Sequence, residues 1–203
     1  MAKGVINTWD GLADFSRREL MFSGERRAVY VAGAGPAVIV IHEIPGITPE
    51  VARFARWVRD AGFTVYMPSL LGHPGQPNSQ GYITNSILRA CIAREFHVLA
   101  SNHSSPIVDW LRLLAAAALK ECGGKGVGAI GMCLTGNFAM SMMVEAAVRA
   151  PVLCQPSLPA SNPAGLHATP EDVAIVRERL EREDLTIKAY RFEGDAACKA
   201  ARF

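Results

Sequence analysis

The chain has 203 residues, half of them hydrophobic, and a formal net charge of +2. A chain of this length can bury a sizeable core, so we predict one globular domain over residues 1–203. The charge is near zero and no long basic run occurs, which argues against a nucleic-acid partner. No apolar run is long enough to cross a bilayer, which argues against a membrane partner.

The cysteines favour neither a disulfide framework nor a zinc site. Their number is odd and no CxxC pair occurs. The N-terminal residues lack the apolar core of a signal peptide. We therefore expect a reduced, cytoplasmic protein. The cysteines are Cys91, Cys122, Cys133, Cys154 and Cys198.

The first predicted elements are a hairpin and a central strand. Residues 16–22 and 27–31 have strand-like patterns, and Ser23-Gly24-Glu25 between them is a hairpin turn signal. Residues 36–42 are rich in β-branched side chains and apolar on both faces. Such a run is typical of a central strand in a mostly parallel sheet.

A helix and a further strand follow. Thr48 is predicted to cap a helix that begins at Pro49, because threonine suits the N-cap and proline the first helical position. Apolar residues recur at helical spacing up to Val58, and Gly62 ends the helix. With a strand predicted at residues 63–67, this gives a strand–helix–strand unit.

The middle of the chain is predicted to be a loop followed by helices. Residues 68–82 hold three prolines and three glycines and indicate a surface loop. Helices are predicted at residues 84–100 and 105–121, and a strand at residues 125–130. Residues 137–148 are predicted to be a helix, and its apolar composition predicts burial on several sides.

The remaining pattern continues the alternation of strands and helices. A strand at residues 150–154 leads into a long loop at 155–169 and a helix at 171–181. A last strand is predicted at 185–192, and a helix is predicted to begin at residue 196. This alternation predicts the α/β class, as a three-layer sandwich around a mostly parallel sheet.

The turn between residues 125–130 and 137–148 carries the clearest functional signal. Gly131-Met132-Cys133-Leu134 places a cysteine at the apex of a strand-to-helix turn. This is typical of the nucleophile elbow of α/β-hydrolases, with a thiol in place of serine. The strained apex crowds the residues two before and two after it, so both should be small. Gly131 meets this requirement and Thr135 does not; the alternative is a buried structural cysteine.

A nucleophilic cysteine also needs an acid, a base and donors to the oxyanion. In α/β-hydrolases the acid follows a later strand, so Asp195 is the candidate and Glu193 the alternative. An ordinary turn aspartate would occupy the same position as Asp195. The expected oxyanion donors are the backbone N–H groups of Leu134 and Ile44. The dipole of the following helix is expected to lower the pKa of the Cys133 thiol.

Three segments, in the expected order, resemble the dienelactone hydrolase family. They are His42-Glu43-Ile44-Pro45-Gly46-Ile47, Gly131-Met132-Cys133-Leu134 and Glu193-Gly194-Asp195. The resemblance extends from about residue 15 to residue 203 and implies an α/β-hydrolase with a Cys–His–Asp triad. It implies Cys133 as the nucleophile, Asp195 as the triad acid, and Glu43 as a carboxylate that contacts the resting nucleophile. It also implies dienelactone-like substrates from aromatic-compound breakdown, and no metal or organic cofactor.

The sequence departs from the family pattern at two points. Thr135 stands where glycine is usual, which is expected to tighten or reshape the elbow. No histidine follows Asp195, and the final strand and helix of the fold are missing from these residues, so we expect a C-terminally truncated α/β-hydrolase domain. Either the native protein is longer than this chain, or the triad is incomplete. His42 is expected to be structural. None of the other histidines stands in the expected order: His73, His97, His103 and His167.

The leading hypothesis is a dienelactone-type hydrolase that opens lactone or ester bonds through an acyl-enzyme. One alternative is a broader carboxylesterase, with specificity set by the loops at residues 68–82 and 155–169. A second alternative is a non-catalytic relative that binds a ligand or partner, because its triad is incomplete. The expected partner is a small lactone or ester, and the expected state is a monomer or homodimer.

Overall fold

The computed structural model describes residues 7–92, 105–157, 159, 162 and 164–203. Its seven strands form one sheet in the order β1-β2-β4-β3-β5-β6-β7. The strands β3 to β7 are mutually parallel, and β2 pairs antiparallel with both β1 and β4. The strands are β1 Ser16–Phe22, β2 Glu25–Ala32, β3 Ala37–Ile41, β4 Thr64–Pro68, β5 Val127–Met132, β6 Val148–Cys154 and β7 Lys188–Tyr190.

Helices cover both faces of this sheet. They are α1 Pro49–Asp60, α2 Gln80–Ile92, α3 Pro106–Cys122, α4 Phe138–Ser141 and α5 Pro170–Arg182. The buried residues of α1 pack in one cluster with Val40 and Val65, whereas those of α3 and α5 pack in a second cluster with Ile39 and Ile41. Alternate residues of β3 therefore face opposite layers, and the predicted α/β sandwich with a mostly parallel sheet is confirmed.

Local sequence signals explain the first hairpin and the first helix. Ser23 and Gly24 both have positive φ, 51° and 82°, as the two-residue turn between β1 and β2 requires. The Thr48 hydroxyl accepts a hydrogen bond from the Val51 N–H at 3.3 Å, and Pro49 begins α1 as predicted.

The prediction of a helix at residues 137–148 is wrong in length. Only Phe138–Ser141 is α-helical, flanked by 3-10 turns at Cys133–Thr135 and Met142–Val144. The buried Arg179 guanidinium donates to the carbonyls of Met143, Glu145, Ala146 and Val148, so these groups need no helical partner. The segment's predicted burial is confirmed, since Phe138, Met142 and Met143 are fully buried.

The C-terminal predictions are also too long. Only Lys188–Tyr190 pairs with β6, because β7 lies at the edge of the sheet. The predicted helix from residue 196 is a 3-10 turn at Ala200–Arg202. The predicted helix at residues 84–100 coincides with α2 as far as Ile92, and the rest of it lies outside the described residues.

An apolar groove of about 560 Å³ lies beside α1 on its face of the sheet. It is bounded by Trp57 and Phe63 on one side and by Gly128 and Val152 on the other. It begins where β3 and β5 begin, at the amino ends of the parallel strands. Of the described helices, none is long and apolar enough to cross a membrane.

Candidate active site

Cys133 lies at a sharp turn where β5 ends. Its φ is +52°, in the left-handed region that residues with a Cβ rarely adopt. A Cβ on Gly131 would lie 2.2 Å from the Thr135 carbonyl oxygen, so glycine is required there. The crowding predicted for the elbow is therefore real at this position. The left-handed apex turns the chain abruptly from strand into the following 3-10 turn.

Thr135 fits the elbow because its hydroxyl forms hydrogen bonds with backbone groups of the turn and of the end of β3. Its Oγ1 accepts from the Met132 N–H at 3.0 Å and lies 3.2 and 3.1 Å from the carbonyl oxygens of Ile41 and His42. The side chain is buried. Thr135 thus joins the elbow to the end of β3.

The parallel sheet brings Glu43 to the same edge as Cys133. Ile41 pairs with Gly131 in register, and each candidate residue stands two positions beyond its strand partner. The carboxyl ends of parallel strands are where ligand sites form in open α/β sheets. Burial and the nearby charge of Glu50 raise the pKa of Glu43.

Asp195 lies beyond β7 at the same edge. Its Oδ1 accepts hydrogen bonds from the backbone N–H groups of Ala197 and Cys198, at 2.8 and 2.9 Å. These two donors lower the pKa of the Asp195 carboxyl. The carboxylate is near enough to Cys133 to disfavour its thiolate electrostatically. Asp195 thus makes the hydrogen bonds of an ordinary turn aspartate, and its charge also acts on Cys133.

The pKa of the Cys133 thiol is raised, contrary to the expectation from a helix dipole. Burial is the main cause, and the charges of Glu43 and Asp195 add to it. Hydrogen bonds from Ser157 and from the Leu134 N–H act in the opposite direction. The expectation is wrong because the element after Cys133 is a 3-10 turn followed by the four residues of α4, which has too few aligned peptides for a strong dipole.

The two expected oxyanion donors lie just beyond the ends of β5 and β3. Leu134 directly follows Cys133, and its N–H faces the sulfur. Ile44 lies in the half-buried loop after β3, next to Glu43. One expected donor thus follows each of two adjacent parallel strands, β3 and β5.

His42 has a structural role. It is fully buried, and its Nε2 accepts from the backbone N–H groups of Leu70 and Leu71 at 3.0 and 3.3 Å. Its Nδ1 donates to the Glu43 carbonyl at 2.7 Å. The ring thus joins the loop after β3 to the loop after β4. Burial lowers the pKa of His42 to about 4, so the ring is neutral.

Within the described residues, no histidine ring is hydrogen-bonded to the Cys133 sulfur. His73 is exposed and stacks on Tyr82 beside a polar pocket of about 330 Å³. His167 is buried against the Phe138 ring, with centroids 5.2 Å apart. His97 and His103 lie outside the described residues.

Sequence reasoning predicted the loop at residues 155–169 but missed Ser157 within it. The Ser157 Oγ lies 3.5 Å from the Cys133 Sγ, although 24 positions separate them in the chain. No motif marks this serine, because only the folded loop brings it to the elbow. In the part of the chain that is described, no cluster of three or more His, Cys, Asp or Glu residues could hold a metal ion.

The mostly parallel sheet, with helices on both faces and a sharp turn at Cys133, has the α/β-hydrolase fold. The profile of the dienelactone hydrolase family matches residues 27–176, well over half of the chain. The chain belongs to the dienelactone hydrolase family, a family of hydrolases, as the sequence resemblance predicted. No curated protein matches it.

Solved structures share this fold at low sequence identity. One is a protein of Klebsiella pneumoniae subsp. pneumoniae MGH 78578, described as "Putative Dienelactone Hydrolase". It has a TM-score of 0.54 and 15% identity, over 93% of this chain and 92% of that chain. Another, called m3DLH, has a TM-score of 0.50 and 16% identity, over 91% of this chain and 84% of that chain. At these identities the likeness concerns the fold alone.

Proposed function

We propose that this protein opens the lactone or ester bond of small carboxylic substrates with Cys133 as the nucleophile, through an acyl-enzyme. The left-handed turn at Cys133 is the observation that carries the proposal, since it lifts the thiol to the carboxyl edge of the sheet. A backbone this strained is maintained where the surrounding structure enforces it, and such positions cluster at active sites.

The proposed reaction has two halves. The Cys133 thiolate attacks the carbonyl carbon, and the N–H groups of Leu134 and Ile44 stabilise the oxyanion. The carbon–oxygen bond breaks, and the leaving oxygen takes a proton. Water then attacks the thioester, the carbon–sulfur bond breaks, and the thiolate returns.

The base that accepts the proton of the Cys133 thiol has several candidates. The family pattern assigns proton transfer to a histidine oriented by Asp195, and no histidine follows Asp195 in these 203 residues. The proton passes to a histidine of a longer native protein, to another base of this chain, to a partner chain or to solvent. Burial raises the pKa of Cys133, so the thiolate fraction grows as the pH rises above neutrality. Hydrolysis should increase in the same direction.

The test compares the wild type with Cys133→Ala and with Cys122→Ala as the matched control. Cys122, a half-buried thiol at the end of α3, contacts the Tyr66 hydroxyl on β4, away from the elbow. We expect hydrolysis of dienelactone to disappear in Cys133→Ala and to persist in Cys122→Ala. Unchanged hydrolysis in Cys133→Ala refutes the mechanism. A preference for aryl acetates over dienelactone favours the broader carboxylesterase.

A second candidate is a ligand-binding relative without turnover. It is favoured by the described histidines, of which none is bonded to the Cys133 sulfur. Calorimetric binding of dienelactone by wild-type protein, without any hydrolysis, would select this candidate. Measurable hydrolysis by the wild type, lost in Cys133→Ala, would exclude it.

The proposed setting is a reducing compartment, the cytoplasm, with a monomer or homodimer as the working form. Cys122, Cys133, Cys154 and Cys198 are free thiols, which supports such a compartment. The proposed substrates come from the breakdown of aromatic compounds, and the proposed chemistry needs no cofactor. Size-exclusion chromatography with light scattering distinguishes the monomer from the dimer.

A further inference from the structure

Ser157 is linked to the candidate nucleophile twice. Its backbone N–H donates to the Cys133 carbonyl oxygen at 2.9 Å, and its Oγ lies 3.5 Å from the Cys133 Sγ. The backbone bond fixes the position of Ser157, and the second contact joins its hydroxyl to the sulfur. The hydroxyl therefore touches the atom that forms and breaks the proposed acyl bond.

Arg202 and Gly136 hold the described residues next to Ser157 in place. Arg202 donates to the carbonyls of Pro156 and Pro159, at 2.6 and 2.8 Å, and also to those of two later loop residues. Pro156 packs so closely on Gly136 that a Cβ there would lie 2.5 Å from the proline Cα. The position of the hydroxyl is thus set by the fold, and substrate is not needed to bring it to the sulfur.

The chemistry of the pair favours one protonation state of the sulfur. In the thiol form either atom can donate, but a thiolate has no proton and can only accept from the hydroxyl. A hydrogen bond to the charged form favours that form. The titratable groups that act on Cys133 from other segments are Glu43, Asp195 and Cys198. The two carboxylates oppose the thiolate, so Ser157 counteracts them.

We propose that Ser157 is a catalytic residue whose hydroxyl donates a hydrogen bond to the Cys133 sulfur and stabilises the attacking thiolate. This inference rests on the proposed role of Cys133 as nucleophile. Ser157 keeps its own proton throughout, so the residue is neither a base nor a second nucleophile. Its role complements that of the Leu134 N–H, which also faces the sulfur.

The test measures the rate of alkylation of Cys133 by iodoacetamide as a function of pH, with the modified peptide quantified by mass spectrometry. The variants are Ser157→Ala and Ser157→Gly, which lack the hydroxyl, and Ser157→Thr, which retains it. Ser16→Ala, on the exposed strand β1, is the matched control. Circular dichroism checks that each variant is folded. If either Ser157→Ala or Ser157→Gly does not fold, the other one is used.

We expect loss of the hydroxyl to move the midpoint of the profile up by about one pH unit and to slow alkylation at pH 7 by about tenfold. Ser157→Thr should stay near the wild type, and Ser16→Ala should overlay it. The proposal is overturned if the profiles of Ser157→Ala and the wild type coincide, or if Ser157→Thr is as slow as Ser157→Ala.

Alkylation requires no ester, so the two proposals can fail separately. If Cys133→Ala abolishes hydrolysis while Ser157→Ala leaves the alkylation profile unchanged, the role of Ser157 is wrong and the nucleophile stands. If Cys133→Ala hydrolyses normally, the nucleophile is wrong, and the inference about Ser157 as a catalytic residue is overturned with it.

Discussion

Mild acid should destabilise this protein through one buried imidazole. His42 is fully buried and neutral, its Nε2 accepts two backbone hydrogen bonds, and burial lowers its pKa to about 4. An unfolded chain has a histidine pKa of about 6.5. Because the folded pKa is the lower one, the unfolded state binds more protons between these values. Stability is therefore lost as the pH falls from about 6.5 towards 4.

The size of the effect follows from the difference between the two pKa values. A difference of about 2.5 units corresponds to about 3.4 kcal/mol in the free energy of unfolding when the loss is complete. Integrated between pH 7 and pH 5, the loss from His42 alone is about 2 kcal/mol. This is a substantial fraction of the total stability of a domain, typically about 5–15 kcal/mol.

Urea denaturation at pH 7 and pH 5 measures this loss in the wild type and in His42→Gln. Glutamine has an acceptor oxygen for the Leu70 N–H and does not titrate, so contributions from the carboxyl groups cancel in the comparison. We expect the wild type to lose about 2 kcal/mol more than the variant between the two pH values. Equal losses would refute the reasoning, because they would mean that His42 is protonated as easily in the folded state as in the unfolded state.

Two further predictions concern buried hydrogen-bonding groups. Thr135→Val leaves the Met132 N–H without its acceptor, and urea denaturation should show a loss of about 2 kcal/mol, whereas Thr135→Ser should lose less than about 1 kcal/mol. Arg179→Met removes the donor to four backbone carbonyls, and the same measurement should show a loss of about 3 kcal/mol. Arg182→Met, at an exposed position of the same helix, should change stability by less than about 0.5 kcal/mol.

Each prediction has a clear contrary result. If Thr135→Val is as stable as Thr135→Ser, the hydroxyl does not determine the effect. If Arg179→Met and Arg182→Met have equal stability, the buried guanidinium does not support the segment before β6.

Much of the fold could be predicted because its signals are local. Thr48 with Pro49 marks the start of α1, and Ser23-Gly24 marks the first hairpin, since cap and turn preferences depend on a few adjacent residues. The apolar composition of residues 137–148 gave a wrong helix length, because composition predicts burial better than conformation. The backbone there is set by Arg179, which is distant in sequence.

The candidate site was predictable in part for the same reason. The elbow at Cys133 has a sequence motif, and the parallel strands explain why Glu43 lies beside it. Ser157 has no motif, and its contact with the sulfur depends on a loop fixed by Arg202. A rise in the pKa of Cys133 could not be anticipated either, because it results from burial and from charges that the folded chain brings together.

The Thr135 hydroxyl has a consequence for how the turn after β5 and the loop after β3 move relative to each other. It binds the elbow through Met132 and lies against the carbonyls of Ile41 and His42, which lead into Glu43. The turn at Cys133 and the loop with the Ile44 N–H are thus linked by hydrogen bonds, and we expect them to move together. In the proposed mechanism, their geometry is set before substrate arrives, so we expect little reorganisation energy to be needed as charge develops on the carbonyl oxygen.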